Sequence, residues 1–159
     1  MSSERAVVAF SIRRLGAQDT DAFAAYDAAA AWFEHEVDLE MVGEASDPQR
    51  VAAFLADPTV LFWLAESDGQ PIGMLHCYVQ RRVDGAWAEL LLYEIGTHAS
   101  HRRRGVGRAL LEAMEVWMLA NAVDVVWVPA ASTATSFYKA CGYAVDDDGA
   151  RVMSKTLRS

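Results

Sequence analysis

The chain has 159 residues, 53% of them apolar, a formal net charge of −8 and a pI near 4.9, a size and apolar share that suit one domain over residues 1–159 with a real core. The acidic balance excludes general nucleic-acid binding, which needs excess Lys and Arg against phosphates, and no run approaches the ~18 apolar residues of a membrane helix. Met1–Val8 lacks the apolar region of a secretory signal, and Cys77 and Cys141 are too few for a disulfide framework, so the expectation is a cytoplasmic protein with reduced thiols.

Val7–Arg13 reads as a first strand. Asp19–Phe33 reads as an amphipathic helix, because Phe23, Tyr26, Ala30 and Phe33 recur at spacings of three and four. Asp47-Pro48 signals a helix start, an N-cap residue followed by proline at the first helical position, and Val51, Phe54 and Leu55 supply that helix's apolar face. A meander of strands comes next: Val60–Glu66, Ile72–Gln80 and Trp87 to about Thr97, joined by turns at Ser67–Gln70 and Val83–Ala86. Each turn holds an Asp-Gly pair, which tolerates the positive φ of tight hairpins.

The apolar period then changes from two to 3.6. Val106, Leu110, Ala113, Met114 and Trp117 share one helical face. Asp124–Val128 reads as a short buried strand, Thr133–Cys141 as a helix stopped by Gly142, and Tyr143–Val145 and Arg151–Leu157 as closing strands around an Asp146-Asp147-Asp148-Gly149 turn. Strands that meander first and interleave with helices later predict an α+β layered fold, a mixed and mostly antiparallel sheet flanked by about four helices.

Charge is unevenly placed. Four of the 14 Lys and Arg residues lie between Arg102 and Arg108, whereas Glu34–Asp47 holds six carboxylates and no Lys or Arg. One site is suited to an anion and another to a cation. The basic cluster, Arg102-Arg103-Arg104-Gly105-Val106-Gly107-Arg108, lies between a strong strand and a strong helix. A helix start offers unpaired N–H groups and partial positive charge to phosphate oxygens. Gly105 and Gly107 let a ligand come close to the backbone. Neither a Walker A lysine nor Gly-x-Gly-x-x-Gly is present, so triphosphate and dinucleotide folds fit poorly.

Arg102–Gly107 resembles the Arg/Gln-x-x-Gly-x-Gly/Ala signature of the GNAT acetyltransferase superfamily. Ala134-Thr135-Ser136-Phe137-Tyr138-Lys139-Ala140-Cys141-Gly142-Tyr143 is similar to that family's Ala-x-x-Phe-Tyr-x-x-x-Gly-Phe segment, and the order agrees from about Val7 to Leu157. The resemblance implies a sheet splayed between its fourth and fifth strands, with acetyl-coenzyme A in the opening. The pyrophosphate would lie on amides from Arg103 to Arg108, and backbone around Ile95, Gly96 and Thr97 would hold the pantetheine and polarise the acetyl carbonyl. Two positions depart from the pattern: Ala131 stands where many members have Asn, and Ala99 where many have Pro. Both touch a pantetheine contact and leave the phosphate loop intact.

In this family the amine attacks the thioester directly. Tyr138, matching the family tyrosine, is the expected general acid, since its ordinary pKa of ~10 lies near that of a thiol, ~8.5. Glu94 interrupts the apolar run Leu90-Leu91-Leu92-Tyr93-Glu94-Ile95 and is the candidate base, acting directly or through water; a solvated sheet-edge carboxylate is the plainer alternative. His98 and His101 lack further ligands for a metal, His35 and His76 read as surface or core residues, and Cys141 as packing.

Tyr93-Glu94-Ile95, the phosphate loop and Trp127-Val128-Pro129 together are similar to GNAT-type aminoglycoside 3-N-acetyltransferases, which carry Asp where Glu94 stands here. With Glu34, Glu36, Asp38, Glu40 and Glu44 ahead of the second helix, this implies a small cationic amine acceptor, aminoglycoside- or polyamine-like. A peptide or protein amine, and a non-catalytic coenzyme A-binding module, remain as alternatives. Similar proteins commonly form a homodimer through C-terminal strands, and the sequence does not decide between that and a monomer.

Overall fold

The computed structural model describes residues 9–33, 45–146 and 152–157. The chain divides into two compact units, Met1–Trp127 and Val128–Ser159.

The first unit is a five-stranded sheet in the order β1-β2-β3-β4-β5. The strands are β1 (Ser11–Arg14), β2 (Val60–Ser67), β3 (Gln70–Arg81), β4 (Trp87–Thr97) and β5 (Val126–Trp127). The first four pair antiparallel; β5 runs parallel to β4. β4 has the predicted bounds. β2 and β3 extend one or two residues beyond theirs, because the Ser67–Gln70 turn closes on a ladder that continues to its last pair. Of the predicted first strand, residues 7 and 8 lie outside the described residues.

Two helices, α1 (Thr20–Ala29) and α2 (Pro48–Ala56), pack on one face of this sheet. α1 gives way at Ala30 to a single 3-10 turn, Ala30–Trp32, shortening the predicted helix. Its inward residues build an aromatic layer with β2: Phe23, Tyr26 and Phe62 have ring centroids 5.3–5.7 Å apart, and Phe33 joins Tyr26 at 5.2 Å. Edge-to-face pairs of this kind add about 0.5–1.5 kcal/mol beyond area burial. α2 starts as its sequence predicts, with the Asp47 carboxylate accepting from the Gln49 N–H at 3.0 Å and Pro48 at the first helical position.

The other face belongs to α3 (Val106–Ala120). Val106, Leu110, Leu111, Met114 and Met118 are buried there, whereas Ala113 and Trp117 are only half-buried. The buried stripe is thus rotated slightly from the predicted one. The Cys77 Sγ of β3 sits 3.7 Å from Met114 Sδ, which fixes the sheet face that α3 covers.

In the second unit a 3-10 turn, Ser132–Ala134, leads into α4 (Thr135–Ala140). The two predicted closing strands are corrected: residues 143–146 and 152–156 carry no ladder, and Val145, Val152, Met153 and Leu157 are exposed. Apolar and β-branched content makes a strand only where a pairing edge and a face to bury are available. The Tyr143 N–H instead bonds back to the Tyr138 carbonyl at 3.0 Å, closing the helix end. Most of the Asp146–Gly149 turn, and Arg151, lie outside the described residues.

Candidate active site

The Arg102–Arg108 segment joins β4 to α3 through a 3-10 turn, Ala99–His101. Gly105 is the N-cap of α3 at φ 81°, ψ 8°, a left-handed conformation in which a Cβ is strained. No side chain caps this end. The first helical bond runs from the Ala109 N–H to the Gly105 carbonyl at 3.0 Å, so the amides of Val106, Gly107 and Arg108 precede the ladder. Arg103 is also left-handed, at φ 58°. For a residue with a Cβ this costs about 1–2 kcal/mol, and such outliers cluster where backbone must face a ligand. A left-handed Gly105 followed by helical Val106 turns successive N–H groups into one concavity, the geometry of an anion nest. Arg102, Arg103, Arg104 and Arg108 are exposed around it. The chemistry of this donor set fits a pyrophosphate.

α3 is held close to the sheet by a missing side chain. A Cβ built on Gly73 of β3 would lie 2.6 Å from Val106 Cγ1 and 3.2 Å from Leu110 Cδ1. Thr97, the last residue of β4, pairs with Gly73, and Gly96 and Ile95 pair with Met74 and Leu75. The anion nest and the end of β4 are therefore referred to the same few residues of β3. β5 pairs only with Leu90 and Leu91, which leaves Leu92–Thr97 beyond that parallel ladder.

Glu94 is half-buried on β4, directly opposite His76. The next pair is Leu92 with Cys77, so Tyr93 is the additional residue of a β-bulge. The bulge re-aims the strand. Strict alternation would send Tyr93 and Glu94 to opposite faces, yet the Tyr93 ring lies 5.2 Å from that of His76 and 5.4 Å from that of Tyr78. Both residues thus stand on the face covered by α1 and α2. The charge of Glu94 is felt across this group. Burial first, and then Glu94, pushes the Tyr26 hydroxyl well above its ordinary range. Burial pulls His76 down to about 4, against an upward pull from Glu94.

His76, read from the sequence as a surface or core residue, lies in the core. It is 7% exposed, and its Nε2 has no hydrogen-bond partner among the described residues. The rings of Phe54, Phe62, Tyr78 and Tyr93 lie 4.6–5.8 Å from its own. The one signal in the sequence was a lone polar residue within the apolar Ile72–Val79 strand.

Beyond β4, the Ser100 hydroxyl lies 2.8 Å from His98 Nδ1 and 2.6 Å from His101 Nδ1. Trp32 stacks on the His98 ring at 6.3 Å, and Phe33 forms an isolated bridge with His98. No group of three or more His, Cys, Asp or Glu residues is gathered for a metal among the described residues. The Cys77 thiol is pushed far up by burial, which makes it inert.

Tyr138 lies in the second unit, buried on α4 with its ring 5.3 Å from that of Tyr143. Cys141 is half-buried. The acidic positions Glu34, Glu36, Asp38, Glu40 and Glu44 lie outside the described residues. Among the described residues no helix is long and apolar enough to cross a membrane.

Residues 23–143 match the Acetyltransferase (GNAT) family, and the chain belongs to it. Transfer of acetyl to an amine is the chemistry this membership assigns. No curated protein matches the sequence. Among solved structures, an aminoglycoside acetyltransferase from an uncultured soil metagenomic sample, in complex with trehalose, is 18% identical with a TM-score of 0.78, covering 94% of this chain and 97% of its own. A ribosomal-protein-alanine N-acetyltransferase from Brucella melitensis is 21% identical with a TM-score of 0.63, covering 93% of this chain and all (100%) of its own. The glucosamine-6-phosphate N-acetyltransferase of Arabidopsis thaliana is 13% identical with a TM-score of 0.72, covering 94% and 99%. At these identities the likeness is one of fold.

Proposed function

We propose that the chain transfers acetyl from acetyl-coenzyme A directly to a primary amine of a small cationic acceptor of aminoglycoside or polyamine type. The observation that carries this reading is the uncapped start of α3, where Arg103 and Gly105 are both left-handed within a ring of arginines. Amides from Arg103 to Arg108, with Arg102, Arg104 and Arg108 adding charge, hold the pyrophosphate. Ile95, Gly96 and Thr97 offer backbone groups to the pantetheine arm, because the edge of β4 runs on beyond its ladder with β5. Bound acetyl-coenzyme A supplies the activated acetyl thioester.

The remaining work falls to side chains and backbone. Amides near Ile95 stabilise the oxyanion that develops as the amine adds. Glu94 draws the ammonium and takes up its proton, directly or through water. Tyr138 gives a proton to the departing thiolate, a transfer matched by the ordinary pKa values of phenol and thiol. Support for a cationic acceptor comes from a carboxylate set among the rings of Tyr78, Tyr93 and His76, since aromatic faces attract ammonium groups by about 0.5–2 kcal/mol. On this reading residues 1–159 serve one reaction as a single domain in the cytoplasm.

The test is release of free thiol from acetyl-coenzyme A across a panel of aminoglycosides, polyamines and peptide amines. Turnover with the first two classes is expected. Turnover with peptides alone would replace the acceptor class, and coenzyme A binding with no turnover would make the chain a binding module.

A further inference from the structure

His76 belongs to neither the phosphate loop nor the proton path through Glu94 and Tyr138, yet four features of its surroundings converge on a ligand. The ring is buried, and its Nε2 is left without a partner among the described residues. An unsatisfied buried polar atom is disfavoured, so a persistent one calls for an explanation. The carboxylate directly across the ladder is Glu94. The bulge at Tyr93 brings its ring to the same face, and Tyr93 itself is 61% exposed, so this face meets solvent beside His76.

We propose that His76 is an acceptor-positioning residue, its Nε2 lone pair accepting a hydrogen bond from the acceptor's ammonium beside the Glu94 carboxylate. The inference rests on the acetyl-transfer reading and specifies how that site recognises its amine. It requires the tautomer with hydrogen on Nδ1, because only an unprotonated Nε2 can accept. Burial holds the ring neutral near neutral pH despite the facing carboxylate. A neutral imidazole stands next to a cation without repelling it, which a lysine or an imidazolium in that place would not do. Glu94 then supplies the attraction and His76 the direction. The pair selects a primary ammonium over a quaternary one, which has no N–H to donate, and over any anionic acceptor.

The experiment compares steady-state kinetics of wild type, H76F and H76Q, varying the best amine of the panel and acetyl-coenzyme A in turn with the other held saturating. Phenylalanine keeps the ring among Phe54, Phe62, Tyr78 and Tyr93 and removes the lone pair. Glutamine returns an acceptor oxygen near the position of Nε2. The expected result is an amine KM about tenfold or more higher in H76F, the loss of one hydrogen bond to a charged group. The KM for acetyl-coenzyme A should stay at the wild-type value, and H76Q should recover part of the amine KM. If H76F does not fold, H76L takes its place under the same criterion. An unchanged amine KM, or equal rises in both KM values, would assign His76 to packing and overturn the inference while leaving acetyl transfer intact. A wild-type chain that turns over no amine would overturn both.

Discussion

Replacing Gly73 by Ala places one methyl between β3 and the start of α3, where the surrounding distances set its cost. The new Cβ would lie 2.6 Å from Val106 Cγ1, 3.2 Å from Leu110 Cδ1 and 3.4 Å from Ala65 Cβ. Carbon atoms rest about 3.5–4.0 Å apart, so roughly 1 Å must be found. Val106 is almost fully buried, and a β-branched side chain in a helix has essentially one rotamer, so it cannot swing aside. The helix start has to move. Overpacking of this kind costs about 1–3 kcal/mol, which for a chain of this size lowers Tm by roughly 3–10 °C. The same displacement carries the amides of Val106, Gly107 and Arg108 away from the end of β4. Misplacement by about 1 Å can cost on the order of 10²-fold in rate, so acetyl-coenzyme A should show a KM raised about tenfold or more and a lower kcat/KM. Thermal unfolding and initial rates measure both. Val106→Ala in the G73A background removes the clashing methyl and should recover most of each loss, as expected for two residues in direct contact. A G73A protein with wild-type Tm and wild-type acetyl-coenzyme A KM would refute this view of how the nest is positioned.

Tyr138→Phe is expected to lower kcat by about 10²-fold with little change in acetyl-coenzyme A KM; an unchanged kcat removes Tyr138 from the mechanism. Glu94→Gln should lose most activity at low pH, by about 10²-fold, and approach wild type as the free amine deprotonates unaided; a loss uniform across the pH range would contradict the base assignment. Stability should fall on acidification between about pH 6.5 and 4 because the unfolded chain binds a proton at His76 that the folded chain, with this histidine at about 4, refuses. That contribution is on the order of 3 kcal/mol, and H76F should remove it in urea titrations at the two pH values. Raising salt from about 50 to 500 mM should raise KM several-fold for a polycationic acceptor, through screening of attracting carboxylates, and a salt-insensitive KM would argue against that attraction.

Much of the fold was legible in the sequence, and the parts that were not share a cause. The α2 cap, the bounds of β4 and the turn into α3 are local features: an Asp-Pro pair, an apolar alternation, glycines beside arginines. The His76–Glu94 pair is not local. Uninterrupted pairing from Arg81 and Trp87 would set His76 opposite Leu92, and two register shifts bring Glu94 there instead. No residue in the strand announces a bulge, so the pairing of His76 with Glu94 could not be read from the sequence. The left-handed Arg103 was hidden for a similar reason, since its conformation comes from the junction it closes rather than from its side chain. The closing strands failed in the opposite direction. Tyr143–Val145 has the composition of a strand, but its first amide turns back to Tyr138.

The proposed acetyl transfer depends on the turn entering α3 receiving a pyrophosphate. Titrating coenzyme A into isotopically labelled protein while following backbone amide resonances tests that most directly. The largest shifts should fall on Arg103 through Arg108, with Ile95 to Thr97 moving at the same ligand concentration. Saturable coenzyme A binding that leaves Arg103–Arg108 unmoved would contradict it.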